Sequence, residues 1–335
     1  MVTAVAIVAW AAGLIGGVLA GYPGTYSVSN VSVVFSDIAR CRTWPQCTQA
    51  LEYRIKFGRQ VAVNVYLPVA KPTPSPLIVF AYESPDTVAL LATMVASSGV
   101  VVAAFPVYDL NHPWDFAKDL LFVTGEMQAE NVAPSSPFYN SMVPSVSALM
   151  GQGSAASAPI LTSLTQLTAY RSKVHVSGII ALFPQMSTRL GLLAAAAAST
   201  PPALVFGAQN DCVYPTQGNA LPVYNALQRS PAACKTYVEI IGASSCNVTD
   251  ALVSDCHANE IQCGAAGSMP GSLLRPLVGG LITSWVAGIL QNNATEWSRF
   301  NSVLRAQTGT RLGYVQSCEP LGASQAVPLS VALHE

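Results

Sequence analysis

Residues 146–156 are the stretch of this chain best suited to chemistry. The apolar run Val146 to Met150 leads into Gly151-Gln152-Gly153-Ser154-Ala155-Ala156 and then into a segment of helical character. A strand, a tight turn of small residues and a helix start are the frame of a nucleophile elbow, in which small neighbours let a strained turn project its central side chain. The central position here is Gly153, and Ser154 comes one step later. Serine catalysis also needs a base to take the hydroxyl proton and an acid to orient that base. Asp211, after the apolar run Ala203 to Phe206, is a candidate acid. Two structural roles stand beside these: Asp211 as a turn or cap residue, and Ser154 as the N-cap of the following helix.

The cysteines are the second group with chemical potential. There are eight, Cys41, Cys47, Cys212, Cys234, Cys246, Cys256, Cys263 and Cys318, and none forms the paired C-x-x-C spacing of a zinc site. No metal or cofactor is implied. Cys212 follows Asp211 and Cys246 follows Ser245, but in an oxidising compartment disulfides are expected rather than reactive thiols. One arrangement joins Cys212 to Cys234, Cys256 to Cys263, Cys41 to Cys47 and Cys246 to Cys318, although sequence alone does not fix connectivity. Three sequons, at Asn30, Asn247 and Asn293, could carry glycans in a eukaryotic secretory pathway. Met1 to Ala20 has no ionisable side chain and ends in Val18-Leu19-Ala20. It reads as a signal peptide, with an uncleaved N-terminal membrane anchor as the alternative. The expected address is therefore secreted or lumenal, with membrane association through the N-terminal segment if that anchor is kept.

Seven short apolar runs must position these residues: Val61–Leu67, Leu77–Tyr82, Val100–Phe105, Val146–Met150, Val176–Phe183, Ala203–Phe206 and Thr236–Ile241. Helical segments lie between and after them, at Thr87–Ser97, Trp114–Gln128, Ser154–Gln166, Gln217–Leu227 and Leu273–Gln291. Fully apolar strands alternating with helices predict an α/β fold, a mostly parallel twisted sheet with helices on both faces. Leu273 to Leu290 is apolar, but Arg275, Pro276 and a glycine pair suit a buried or half-buried helix. The expected division is a leader at 1–20, one domain at 25–300 and a tail at 301–335. The whole chain has 335 residues, 51% hydrophobic and 10% charged, with a formal net charge of -1. Such a profile fits neither a disordered chain nor a nucleic-acid binder. Its low charge favours glycosylation or burial in a larger assembly, so a protein partner or self-assembly is expected.

Several stretches in the same order resemble the α/β-hydrolase fold, and within it the secreted cutinase and polyester-hydrolase group and its relative chlorophyllase. They are Leu77-Ile-Val-Phe-Ala-Tyr82, Ser135-Ser-Pro-Phe-Tyr139, Leu149-Met-Gly-Gln-Gly-Ser-Ala-Ala156, Leu204-Val-Phe-Gly-Ala-Gln-Asn-Asp211, Ala220-Leu-Pro-Val-Tyr-Asn-Ala-Leu227 and Val238-Glu-Ile-Ile-Gly-Ala-Ser-Ser-Cys246. The resemblance implies a serine esterase site, but with two of three catalytic positions altered. The acid is retained at Asp211; the nucleophile position falls on Gly153 and the base position on Ser245. The oxyanion-hole donors implied are the backbone N–H groups of Ser154 and Tyr82. The expectation is a pseudoenzyme, kept for structure or binding, with an apolar small molecule or polymer in the vestigial cleft as a further candidate ligand. The alternative is an active carboxylic-ester hydrolase using Ser154, Asp211 and His257. That version puts Gln152 at a crowded flanking position.

Overall fold

The computed structural model describes residues 24–37, 40, 59–83, 88–107, 113–186, 191–227, 234–250 and 269–318. The expected leader, Cys41, Cys47, Cys256, His257, Cys263 and the last 17 residues of the tail (319–335) lie outside them. Among the described residues nine strands form one sheet. They are β1 (Val28–Asp37), β2 (Arg59–Pro68), β3 (Ser75–Glu83), β4 (Val101–Val107), β5 (Met142–Gln152), β6 (Gly178–Leu182), β7 (Ala203–Ala208), β8 (Lys235–Ile240) and β9 (Leu312–Ser317). Eight α-helices accompany them: α1 (Ala89–Ser97), α2 (Pro113–Val132), α3 (Ala158–Leu161), α4 (Thr168–Arg171), α5 (Leu192–Ala198), α6 (Ala220–Ala226), α7 (Gly271–Trp285) and α8 (Ala294–Gln307).

The sheet order is β1-β2-β4-β3-β5-β6-β7-β8-β9. Strands β3 to β8 run parallel, while β2 is antiparallel to β4, β1 to β2, and β9 to β8. The reason the central strands read as unbroken apolar runs is visible in β3. Leu77, Val79 and Ala81 pack into the core on the α2, α3, α5 and α6 face, and Ile78, Phe80 and Tyr82 into the core under α1, α7 and α8. With helices on both faces, no position from Leu77 to Tyr82 is left for a solvent-facing polar side chain. This is the α/β class expected, and all seven expected strands are present.

The two further strands are the edges. In β1, Val33 and Phe35 are buried while Asn30, Ser32 and Val34 face outward, an alternation that breaks up any apolar run. Buried Arg40 pairs with Asp37 and Asp119, and Arg59 with Asp119, which fastens the β1–β2 hairpin to α2. The sheet also extends into the segment expected to be a tail, since the end of α8 and all of β9 lie beyond residue 300. The helix expected over Ser154–Gln166 is broken into a 3-10 turn (Gly153–Ser157), α3 and a second 3-10 turn (Thr165–Leu167). Helix α7 runs through Pro276 and continues as a π turn over Val286–Leu290. Gly271–Leu290 is long and apolar enough to cross a membrane, yet half of it is buried inside the protein. Leu274, Val278, Leu281, Ile282 and Trp285 form the buried side, as expected for a half-buried core helix.

Because β3, β5, β6, β7 and β8 are parallel neighbours, the turns after β3, β5, β7 and β8 emerge at one edge of the sheet. That edge is where an open α/β sheet positions ligand-handling residues.

Candidate functional site

The turn after β5 has the geometry its small residues anticipate. Gly153 has φ +63°, a left-handed conformation that glycine adopts at least cost. Among the residues of the turn it is the only one with positive φ. A Cβ on Gly151 would come within 2.3 Å of the Ala155 carbonyl oxygen, so the residues two before and two after Gly153 press together. Gly153 is thus the apex, and Ser154 lies one step beyond it in the 3-10 turn. Ser154 does not cap the following helix: the residue at the start of α3 is Ser157, whose hydroxyl donates to the Ser154 carbonyl at 3.0 Å. The Ser154 Oγ is buried with no hydrogen-bond partner.

Asp211 follows β7 and is 4% exposed. Its Oδ1 accepts the backbone N–H groups of Val213 (3.0 Å) and Tyr214 (2.8 Å), the contacts of an Asx turn. Its Oδ2 accepts the N–H of Ser245 at 3.2 Å. One carboxylate thus closes its own turn and reaches across to the loop after β8. Asp211 and Ser245 are brought together, and the two loops are zipped further by Asn210 N–H to the Ala243 carbonyl (2.9 Å) and Gly242 N–H to Gln209 Oε1 (3.1 Å). Ser245 is fully buried, and its Oγ has no hydrogen-bond partner.

The residue that sequence reasoning missed is Glu83, the last of β3. Its Oε2 accepts the Tyr214 hydroxyl at 2.7 Å and the Ser154 N–H at 3.2 Å, and its own N–H donates to the Oε1 of buried Gln152 at 3.3 Å. A Cβ on Gly153 would sit 2.6 Å from that same Oε2. Burial, then the charge and hydrogen bond of Glu83, push the Tyr214 phenol pKa well above its ordinary value, so the phenol stays protonated and donates. In the sequence Glu83 is a carboxylate directly after the apolar run Leu77–Tyr82, which marks its position but not its partners. Tyr82, the residue before it, is buried in the sheet. Of the described residues, Gly153, Ser154, Asp211, Ser245, Glu83 and Tyr214 converge here.

The cysteine pairing differs from the expected one. Cys234 is bonded to Cys318, and Cys212 and Cys246 are in disulfides as well. The Cys212–Cys234 and Cys246–Cys318 pairings are thereby overturned. The physical reason is the unforeseen β9: its antiparallel pairing with β8 sets Ser317 opposite Lys235, which brings Cys318 beside Cys234. Among the sequons, Asn30 is exposed on β1 and Asn293 is exposed at the start of α8, where its side chain accepts from Thr295 and Glu296 N–H. Asn247 is half-buried, and its amide donates to the Met269 carbonyl at 2.9 Å.

Fold and site together define an α/β protein with a strand–turn–helix elbow at the carboxyl edge of its sheet, facing an aspartate turn two strands away. No protein-family model matches the chain, and no curated protein sequence matches it.

Proposed function

We propose that this chain is an α/β-hydrolase-like protein that no longer cleaves esters, and that it works as a structural or binding subunit in a secreted or lumenal setting. The observation that carries this is Gly153 at the apex of the turn after β5. An elbow projects its nucleophile from that apex, and here the apex has no side chain. The order along the chain supports the same reading: elbow after β5, acid after β7, base position after β8, as in the Ser…Asp…His order of this fold. Asp211 bonded to the Ser245 backbone fits an acid whose imidazole partner has been replaced by an alcohol. Losing the serine or the histidine of such a triad lowers turnover about a millionfold and leaves roughly a thousandfold over water, too little for a working esterase. The disulfides at Cys234, Cys318, Cys212 and Cys246 favour an oxidising compartment. The near-neutral, charge-poor composition favours a protein partner or a second copy over nucleic acid, with an apolar small molecule or polymer as a further class of ligand.

The test is chemical. Purified protein should show no hydrolysis of p-nitrophenyl butyrate above the buffer rate, and no fluorophosphonate adduct on Ser154 by mass spectrometry. Turnover at an ordinary enzymic rate, lost on Ser154→Ala or on His257→Ala, would establish the active-esterase alternative instead. Elution well above the monomer mass would favour assembly; a monomer stabilised thermally by a lipid or polyester fragment would favour binding.

A further inference from the structure

Glu83 does more than border the elbow. In an acyl-transfer elbow the residue after the apex donates its N–H to the developing oxyanion, and the apex Cβ carries the nucleophile. Oε2 of Glu83 lies where it meets both requirements at once. It takes the Ser154 N–H at 3.2 Å, and it fills the space in which a Gly153 Cβ would sit only 2.6 Å away. Cβ atoms do not approach carboxylate oxygens that closely, so a side chain at 153 and the present Glu83 position are mutually exclusive. The Tyr214 hydroxyl, 2.7 Å from the same oxygen, supplies a second donor and holds the carboxylate in place. An anionic oxygen with two convergent donors is the arrangement that a reacting carbonyl would otherwise need.

We propose that Glu83 is an intramolecular lock on the elbow: its carboxylate occupies the anion position formed by Ser154 N–H and Tyr214 OH, and excludes both a side chain at residue 153 and any external carbonyl or carboxylate. The inference rests on reading residues 151–156 as an elbow. It carries a consequence for how the site can change. Serine cannot be restored at 153 by a single substitution without shifting the Glu83 carboxylate from its place, so the two positions are energetically coupled although 70 residues apart in sequence. Removal of the Glu83 side chain leaves two donors facing a small polar gap, whose complementary ligand is a small carboxylate.

A double-mutant cycle tests the coupling. Thermal midpoints are measured for the wild type, Glu83→Ala, Gly153→Ala and the double variant. The strain of a left-handed alanine at 153 is common to both backgrounds and cancels. Under the lock, Gly153→Ala lowers the midpoint at least about twice as far when Glu83 is present as it does in the Glu83→Ala background. Equal drops in the two backgrounds overturn the lock. If Gly153→Ala folds in neither background, the deciding measurement is a sodium formate titration against matched sodium chloride. Formate should raise the midpoint of Glu83→Ala and leave the wild type unchanged; no difference between the two proteins overturns the proposal. Fluorophosphonate labelling of wild-type Ser154 would sink the parent reading whatever the cycle gives, whereas additivity without labelling removes the lock alone.

Discussion

Asp211 carries three backbone hydrogen bonds on one buried carboxylate, two within its own turn and one across to Ser245. Leaving a buried N–H unsatisfied costs about 1–3 kcal/mol, so Asp211→Ala should destabilise by about 3 kcal/mol in urea unfolding. Asp211→Asn keeps one carbonyl oxygen for Val213 and Tyr214 but turns an NH2 toward the Ser245 N–H. It should cost about 1–2 kcal/mol. Equal and small losses in the two variants would mean that the bridge to Ser245 is not a stabilising contact. At this scale the sequence was informative where chemistry follows from neighbours. The small residues at 151, 153 and 155 announce a tight turn, and the glycine at its centre takes the left-handed conformation such a turn needs. Glu83 was not legible for the opposite reason. Its partners Ser154 and Tyr214 are 71 and 131 residues away, and nothing local to Glu83 encodes which way its carboxylate turns.

Elements were legible in proportion to how completely they are buried. Strands β3 to β8 are largely buried on both faces and β2 alternates, so their runs stand out from the connecting segments. The edge strands do not. Half of β1 is Ser, Asn and Asp, with Asn30 and Ser32 facing outward and Asp37 buried in its ion pair with Arg40, and β9 has only Leu312 fully buried, so neither produces a run. Missing β9 also removed the information needed to pair the cysteines. Strand β9 is held by its ladder with β8 and by the Cys234–Cys318 bond, whose members are 84 residues apart in sequence. Closing a loop of that length stabilises by about 2–5 kcal/mol, chiefly by restricting the unfolded chain. Replacing both cysteines by serine, which avoids a free thiol, should lower stability by that amount. It should also speed hydrogen exchange on Leu312–Ser317 before the central strands are affected. A loss below about 1 kcal/mol, with β9 exchange unchanged, would show that the ladder alone holds the edge.

The whole molecule has few charges, and several of its carboxylates are partly withdrawn from water. Burial raises the pKa of Asp115, of Glu126 and of Glu239 above their ordinary values of 3.8, 4.5 and 4.5. For Asp115, Lys118 and Arg59 oppose the shift; for Glu126, Glu130 and Asp37 add to it; for Glu239 burial is the cause. A carboxyl group with a raised folded-state pKa binds its proton more tightly folded than unfolded. Its stabilising contribution is fully present below the unfolded pKa and is lost as pH rises through the folded value. The contribution of Glu239 should therefore fall as pH climbs from about 4.5 through the raised value and stay lost at neutrality. Glutamine resembles the protonated acid at every pH. Glu239→Gln should accordingly be more stable than wild type at pH 7, with the advantage shrinking toward zero as the pH is lowered to the unfolded pKa of the glutamate. Urea midpoints of the two proteins across that range read the difference directly. A constant offset would mean that folding leaves the Glu239 pKa unchanged, and one that grows on acidification that Glu239 gains a folded-state partner that outweighs its loss of water.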